Sequence, residues 1–333
     1  MLILSFETSC DETSVAILQD KRIISHILSS HISAIEFGGI MPEFSSRTHM
    51  EIIVPSLKLA LEAGGVSLKD INLVSATQGP GLVGSLLVGY VFGKSIANSL
   101  SVPFIGIDHL EAHLFSVFKE KEPEFPILSV LVSGGHTEIF LIENYNEIRY
   151  LGGTLDDAGG ECLDKGARLL GFKYPGAAKM AQLAEKGDIN FLNFPLPQTP
   201  PFTFSFSGLK TALLRYIEKL SKDEFEELKP HIAASFQEAV FQHILMKIKE
   251  AILILNIKNL KISVVGGVAV NDRLRKLFYE NFGEVFFPEK ELCGDNAVMV
   301  GIRSYYIYKF RKKEFIETED VYTRYPFQFK RRI

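Results

Sequence analysis

Short apolar runs separated by compact polar or glycine-centred turns set the rhythm of this chain. Leu2-Ile3-Leu4-Ser5-Phe6 and Val15-Ala16-Ile17-Leu18 enclose a polar Glu7–Ser14 stretch, which predicts a hairpin, and Arg22 to Leu28 adds a third strand. Phe125 to Val130 and Ile139 to Ile142 repeat the form around Leu131-Val132-Ser133-Gly134-Gly135-His136-Thr137-Glu138. Two other runs pass through glycine turns into helices. Ile71 to Thr77 meets Gly79-Pro80-Gly81 before a helix over Leu82 to Leu100, and Leu260 to Val265 meets Gly266–Asn271 before a helix from Asp272. Met41-Pro42-Glu43 reads as a break before a helix over Ser46 to Ala63, whose inner face would hold Ile52, Ile53, Leu57, Leu59, Ala60 and Leu61 before Gly64-Gly65 stops it. Further helices are expected from Asp156–Lys165 to Leu170, from Ser207, over His231 to Leu255, and over Asn296 to Phe310, with a Pro- and Phe-rich loop at Asn193 to Ser207.

The turns carry candidate chemistry. Gly134 and Gly135 lack a Cβ, so their backbone can adopt positive φ and approach an anion, while Ser133 and Thr137 offer hydroxyls. Gly266–Asn271 at a helix start is a natural anion or nucleoside site. Two hairpin tips and two glycine-turned helix starts, divided between the halves of the chain, point to a two-lobed cleft of nucleotide type. A strand over Pro103 to Ile107 delivers Asp108-His109-Leu110-Glu111-Ala112-His113 to a helix start, and the i, i+4 spacing puts both imidazoles on one face, able to grip one metal ion. A zinc peptidase needs Glu directly after the first His; Leu110 stands there, and Glu111 is turned about 100° further round the helix. Two imidazoles leave a metal short of ligands, so a carboxylate from elsewhere is expected as the third. Glu43, Arg47 and His49 near a helix start read as structural, and Phe202, Phe204 and Phe206 as core, with stacking on an RNA base as the alternative.

Composition narrows the class. At 333 residues, with 47% apolar and 23% charged, the chain exceeds one core and is globular rather than disordered. The longest nearly apolar window, Gly81 to Gly93, is too short to span a bilayer, no basic leader precedes Glu7, and three unpaired cysteines fit a reducing cytoplasm. A net charge of −4 argues against unaided binding of nucleic acid, although Lys309 to Ile333 carries eight basic residues against four acidic ones and could be a solvated tail or a phosphate contact. Lys119–Glu124, charged and containing Pro123, reads as an interlobe linker.

Glu7-Thr8-Ser9-Cys10-Asp11-Glu12-Thr13, Gly79-Pro80-Gly81, His109-Leu110-Glu111-Ala112-His113, Val132–Thr137, Phe204–Lys210, Gly266–Asn271 and Asp295-Asn296 appear in the order seen in the tRNA N6-adenosine threonylcarbamoyltransferase (TsaD) family, which the chain closely resembles over nearly its whole length. The resemblance implies the α/β, two-lobed actin-like ATPase (ribonuclease H-like) fold, with duplicated βββαβα lobes around a central cleft. Expected boundaries are 1–118 for the N-terminal lobe, 119–126 for the linker, 127–294 for the C-terminal lobe with an insertion at 188–207, and 295–333 for a helix returning to the first lobe plus the basic tail. It implies transfer of a threonylcarbamoyl group from threonylcarbamoyl-AMP to N6 of adenosine 37 in tRNAs reading ANN codons. A glycoprotease-like metallopeptidase and an ATP-dependent kinase or chaperone-like module are the alternatives.

The resemblance also points to residues. Asp295 would join His109 and His113 around one divalent metal, Fe2+ with Zn2+ or Mg2+ as alternatives. Leu131, Val132, Ser133, Gly134, Gly135, Asp164 and Asn271 would hold the donor, in a cleft that ATP could also occupy. Ala177 stands where the family commonly has Gly, in the donor-binding turn Tyr174-Pro175-Gly176-Ala177. Glu12 and Asp11 are candidate general bases by position. Expected partners are the tRNA anticodon loop, a paralogous actin-like subunit, an accessory ATPase and a separate threonylcarbamoyl-AMP synthase, with no membrane.

Overall fold

The computed structural model describes residues 1–30, 41–310 and 320–323. Most of the basic tail therefore lies outside the described residues. The chain divides into two compact units, one of Met1–Glu124, Glu143–Ile148 and Pro288–Ile333, the other of Phe125–Ile142 and Arg149–Phe287. Lys119–Glu124 and Pro288–Gly294 thus belong to the first unit.

In the first unit, β1 (Leu2–Glu7) is the centre of a five-stranded sheet with β2 (Glu12–Gln19), β3 (Arg22–Ser30), β4 (Leu73–Gly79) and β5 (Phe104–Asp108), in the order β3-β2-β1-β4-β5. β1 is antiparallel to β2 and parallel to β4, with Leu4 opposite Ile17 and Val74. Side chains alternate across a strand. Leu4 and Phe6 therefore enter the core beneath α1 (Pro42–Gly64) and α2 (Val83–Leu100), while Ser5 turns to the opposite face, where its hydroxyl donates to Ala297 O of α9 (Ala297–Phe310) at 2.7 Å. The same alternation sends Glu7 away from the α1–α2 core and toward the candidate site.

Two details of α1 differ from expectation. Pro42 begins the helix instead of breaking it, because a first-turn residue needs no N–H acceptor. The buried face is Ile53, Ser56, Leu57 and Ala60, and Leu59 is exposed, since two residues' offset from Leu57 carries it about 200° round the axis. His49 is fully buried, with Nδ1 2.7 Å from the Thr13 hydroxyl and Nε2 3.1 Å from both the Ser45 hydroxyl and Cys10 O, the structural role expected of it.

The second unit holds a four-stranded sheet of β6 (Ile127–Val132), β7 (Thr137–Asn144), β8 (Glu147–Gly153) and β9 (Lys261–Val265), in the order β8-β7-β6-β9, with β6 parallel to β9. A lone parallel bridge, Ser263 to Phe286, stands where a fifth strand would complete the repeat of the first sheet. Two sheets of this topology with their helices are the actin-like ATPase fold. Helices α4 (Gly159–Leu169), α5 (Ala177–Ala184), α6 (Ser207–Ile217), α7 (Lys222–Leu255) and α8 (Asp272–Phe282) complete the unit.

α7 starts nine residues before the expected His231, because Ser221 and Glu224 form a reciprocal capping box and Pro230 is accommodated inside the helix. The 188–207 segment lies along α7, with Leu192 N donating to Ser235 Oγ at 3.0 Å and Lys247 Nζ to Thr199 O at 3.1 Å. Phe204 and Phe206 are fully buried, and His243 meets both rings edge-on, so these two phenylalanines are core and not a platform for a base.

Candidate functional site

Three side chains from distant parts of the chain converge in the first unit. Asp108 ends β5 and caps α3 (His109–Phe115) by accepting from Glu111 N at 2.9 Å, which places His109 and His113 one turn apart on a buried helix. Asp295, just before α9, presents Oδ1 to His113 Nε2 at 3.0 Å and to His109 Nε2 at 3.5 Å. Asn296, not Asp295, caps the helix by accepting from Met299 N at 3.0 Å.

This trio suits a metal ion. Donors about 2.1 Å from an ion, 90–110° apart, are separated by roughly 3.0–3.4 Å, which the two Asp295 distances of 3.0 and 3.5 Å match, and all three ligand atoms lie within 4.8 Å of one another. Glu7 supplies the outer support. Its fully buried carboxylate takes Ser9 N at 2.5 Å and the Thr77 hydroxyl, and lies 3.2 Å from His109 Nδ1. That contact aims His109 Nε2 at the metal position, the carboxylate–imidazole arrangement of many metal centres. His113 Nδ1 is buried without a hydrogen-bond partner, so the two imidazoles are held unequally. Sequence reasoning saw Glu7 only as part of a motif.

The electrostatics match. Burial alone would lower the His109 pKa, but the charges of Asp295 and Glu7 outweigh it and push it up to about 9. Burial alone would raise Glu7, but the His109 charge holds it below its ordinary value. Glu12, at the start of β2, is raised well above the carboxylate range by burial and by the charges of Asp295 and Asp11, which places it electrostatically beside the trio. A bound cation would oppose that shift.

An ion requires neutral imidazole, so metal uptake must expel the His109 proton. Between pH 7 and 8.5, affinity for Co2+ is expected to rise about tenfold per pH unit, with about one proton released per ion in a weakly buffered titration. A flat profile would show His109 already neutral. In the metal-free protein the raised pKa contributes stability that is complete below the ordinary 6.5 and is lost as pH climbs through about 9. Thermal unfolding should therefore come earlier at pH 9.5 than at pH 6.5.

Glu111 is not available as a peptidase base. Its Oε2 accepts from Arg303 Nε and Nη2 at 2.8 and 2.6 Å, and both side chains are buried. The displaced glutamate of the sequence is a salt-bridge partner.

In the second unit the 131–135 stretch ends β6 and the 266–271 stretch follows β9, while Asp164 and Ala177 lie on α4 and α5. Leu131 and Val132 have fully buried side chains, so only their backbone could meet a ligand. Ser133 N donates to His136 O at 2.8 Å, and Ser133 Oγ accepts from His136 N at 3.1 Å, closing the turn. Gly134 and Gly135 are exposed at its tip, and neither has positive φ; a Cβ at either would meet no protein atom within 4 Å. Their lack of a side chain therefore opens space above the turn instead of permitting an unusual backbone. Thr137 corrects the expectation of a free hydroxyl, being buried and accepting from Gly159 N at 2.8 Å. Gly160 N donates to Ser133 O at 3.1 Å, which fastens the start of α4 to the turn.

Asp164, further along α4, accepts Gly176 N and Ala177 N on Oδ1, both at 2.8 Å, and so holds the start of α5. Ala177 fits there as the first residue of that helix. Gly266 has φ +91° and lies so close to β6 that a Cβ would be 2.5 Å from Val132 O. Asn271 caps α8, accepting from Arg273 N at 2.9 Å, while its Nδ2 donates to Gln237 Oε1 at 2.9 Å. No catalytic acid or base stands out in this cluster.

Comparison with known proteins gives a consistent picture. The TsaD family, described as tRNA N6-adenosine threonylcarbamoyltransferase, matches residues 22–302. Proteins of that description from Thermosipho africanus and Geotalea uraniireducens are 43% identical over 319 residues and 44% identical over 310 residues, covering 93% and 91% of this chain and 95% and 90% of theirs. Among solved structures, component A of the (R)-2-hydroxyglutaryl-CoA dehydratase of Acidaminococcus fermentans aligns with a TM-score of 0.54 at 15% identity, covering 92% of this chain and 98% of that one, a likeness of fold.

Proposed function

Because this chain belongs to the tRNA N6-adenosine threonylcarbamoyltransferase (TsaD) family and forms N6-threonylcarbamoyladenosine in tRNA, we propose that His109, His113 and Asp295 hold one divalent ion and that Ser133, Gly134, Gly135, Asp164, Ala177 and Asn271 bind the donor, threonylcarbamoyl-AMP. The observation that carries this reading is the convergence of two imidazoles and an aspartate backed by Glu7. Kinases and ATPases of this architecture hold Mg2+ through carboxylates and waters, whereas imidazole ligands favour a transition metal, Fe2+ or Zn2+.

In the reaction the adenine N6 lone pair attacks the carbamoyl carbon, the bond from that carbon to the phosphate oxygen breaks, AMP departs with the electron pair, and N6 loses a proton. Glu12, whose raised carboxyl a cation on the trio would return toward its ionised form, would accept that proton, with Asp11 as the alternative. When bound, the ion would supply Lewis-acid polarisation. The backbone N–H groups of Gly134 and Gly135 suit the donor's phosphate, Ser133 N being taken by His136 O, and the Asp164 carboxylate, whose Oδ2 carries none of the α5 contacts, suits a ribose hydroxyl.

Exposed apolar residues on the two packed helices, Phe44, Met50 and Val54 on α1 and Val83, Leu87 and Val91 on α2, are offered as the surface for the paralogous actin-like subunit, leaving the accessory ATPase and the synthase to act elsewhere. Among the described residues no helix is long and apolar enough to cross a membrane.

The test is nucleoside mass analysis of unmodified tRNA incubated with the chain, its accessory proteins and threonylcarbamoyl-AMP, with and without chelator. Modified adenosine that disappears on chelation and returns with Fe2+ or Zn2+ is expected. Full modification in the metal-stripped reaction would overturn the assignment of the metal.

A further inference from the structure

The metal trio draws its ligands from two elements that share no sequence neighbourhood. His109 and His113 lie on α3, only seven residues long, and Asp295 lies in the turn before α9. Whether they form a site depends on how α3 is set against α9. The start of α9 is fixed to the sheet, with Ala297 N donating to Ser14 Oγ at 2.9 Å and Ser5 Oγ to Ala297 O at 2.7 Å. The start of α3 is fixed by Asp108, whose Oδ2 accepts the Tyr322 hydroxyl at 2.5 Å.

Neither anchor sets the helices against each other. Glu111 and Arg303 do. Glu111 lies midway between the two ligands in sequence and about 200° round the helix from each, so it leaves α3 on the side away from the metal. Arg303 reaches it from the second turn of α9 with Nε and Nη2 on one carboxylate oxygen, donates Nη1 to Tyr145 O at 2.8 Å, and lies 4.1 Å over the Phe115 ring at the end of α3. The guanidinium is thus held at three points, two of them on α3.

We infer that the Arg303–Glu111 pair is a positioning device for the metal centre, fixing the register of α3 against α9 so that Asp295 meets both imidazoles. A buried ion pair is weak evidence of net stability, since an apolar pair of similar volume often serves as well. What such a pair supplies better than packed methylenes is a fixed direction and distance, the fork geometry of the guanidinium. The inference rests on the metal-centre reading above, and the experiment separates the two.

Co2+ alone is titrated into the metal-free full chain, followed by its visible spectrum, alongside Glu111→Leu/Arg303→Met and Arg303→Lys. Failure of the unaltered chain to bind Co2+ would sink the metal-centre reading itself. If that chain binds, the apolar double variant is expected to keep a cooperative thermal transition yet bind about 10–100-fold more weakly with an altered ligand-field spectrum, the range seen when outer supports of metal sites are removed. Arg303→Lys, which keeps the charge and loses the fork, should fall between. Unchanged affinity and spectrum in the double variant would overturn the inference, and should that variant not fold, the same result in Arg303→Lys would do so.

Discussion

Asp295→Ala is expected to cut threonylcarbamoyl transfer by about 10³-fold while the affinity for tRNA stays within about threefold of the unaltered protein. The asymmetry follows from what the residue touches. Its carboxylate faces His113 and His109, and Asn296 carries the capping of α9, so the loss removes a ligand without uncapping the helix. Two imidazoles alone form a weak site. Asp295→Asn keeps the shape and one oxygen but not the charge, and should fall between the two, with partial rescue at millimolar metal. Single-turnover measurement of the modified nucleoside, with the donor saturating, reads the chemical step directly. A variant within tenfold of the unaltered rate would mean that the trio does not take part.

That trio also shows where a sequence can be read and where it cannot. The His109–His113 pair was legible because its partners are one helical turn apart, a purely local relation. Asp295 was not, since it meets His113 across 182 residues; only the family resemblance pointed to it. Glu7 had no local signal at all, because an acidic residue at the end of a short strand is ordinary until the fold buries it beneath an imidazole. Arg303 did leave a signal that went unread. It interrupts the apolar run Val298-Met299-Val300-Gly301-Ile302, and an arginine in the middle of a buried helix needs a partner. Glu111, already marked as facing the wrong way for a peptidase, was that partner.

The alternation of apolar runs and glycine turns placed most strands and the glycine-turned helix starts, because sheet pairing and burial act on the same period-two pattern. It failed where a contact outside the segment decided the outcome. β8 has no clear sequence signal because its residues Ile148, Tyr150, Gly152 and Gly153 lack a clean alternation, and α7 starts earlier than its apolar run because a capping box outweighs a proline nine residues on. The glycines of the Ser133 turn differ from expectation in their physical role. Their backbone angles are ordinary, and their value lies in the room they leave.

Gly134→Val and Gly135→Val turn that last point into the second large effect. Neither new side chain has a protein atom to strike within 4 Å of its Cβ, and both positions have φ values that L-residues adopt, so thermal stability should change by no more than about 0.5 kcal/mol. The donor is another matter. If a phosphate approaches the turn closely enough to accept its N–H groups, branched carbons above those groups must keep it at a distance, and KM for threonylcarbamoyl-AMP should rise about 30- to 100-fold with a smaller fall in kcat. Gly160→Val provides the contrast. Its Cβ would lie 2.4 Å from Ser133 O and 2.8 Å from Gly134 N, both backbone atoms, so that variant should lose stability by about 1–3 kcal/mol as well as donor affinity. A structural glycine loses fold and function together; a glycine that exists to admit a ligand loses function alone. Gly134→Val and Gly135→Val variants with unaltered stability and unaltered KM would move the donor's phosphate away from this turn.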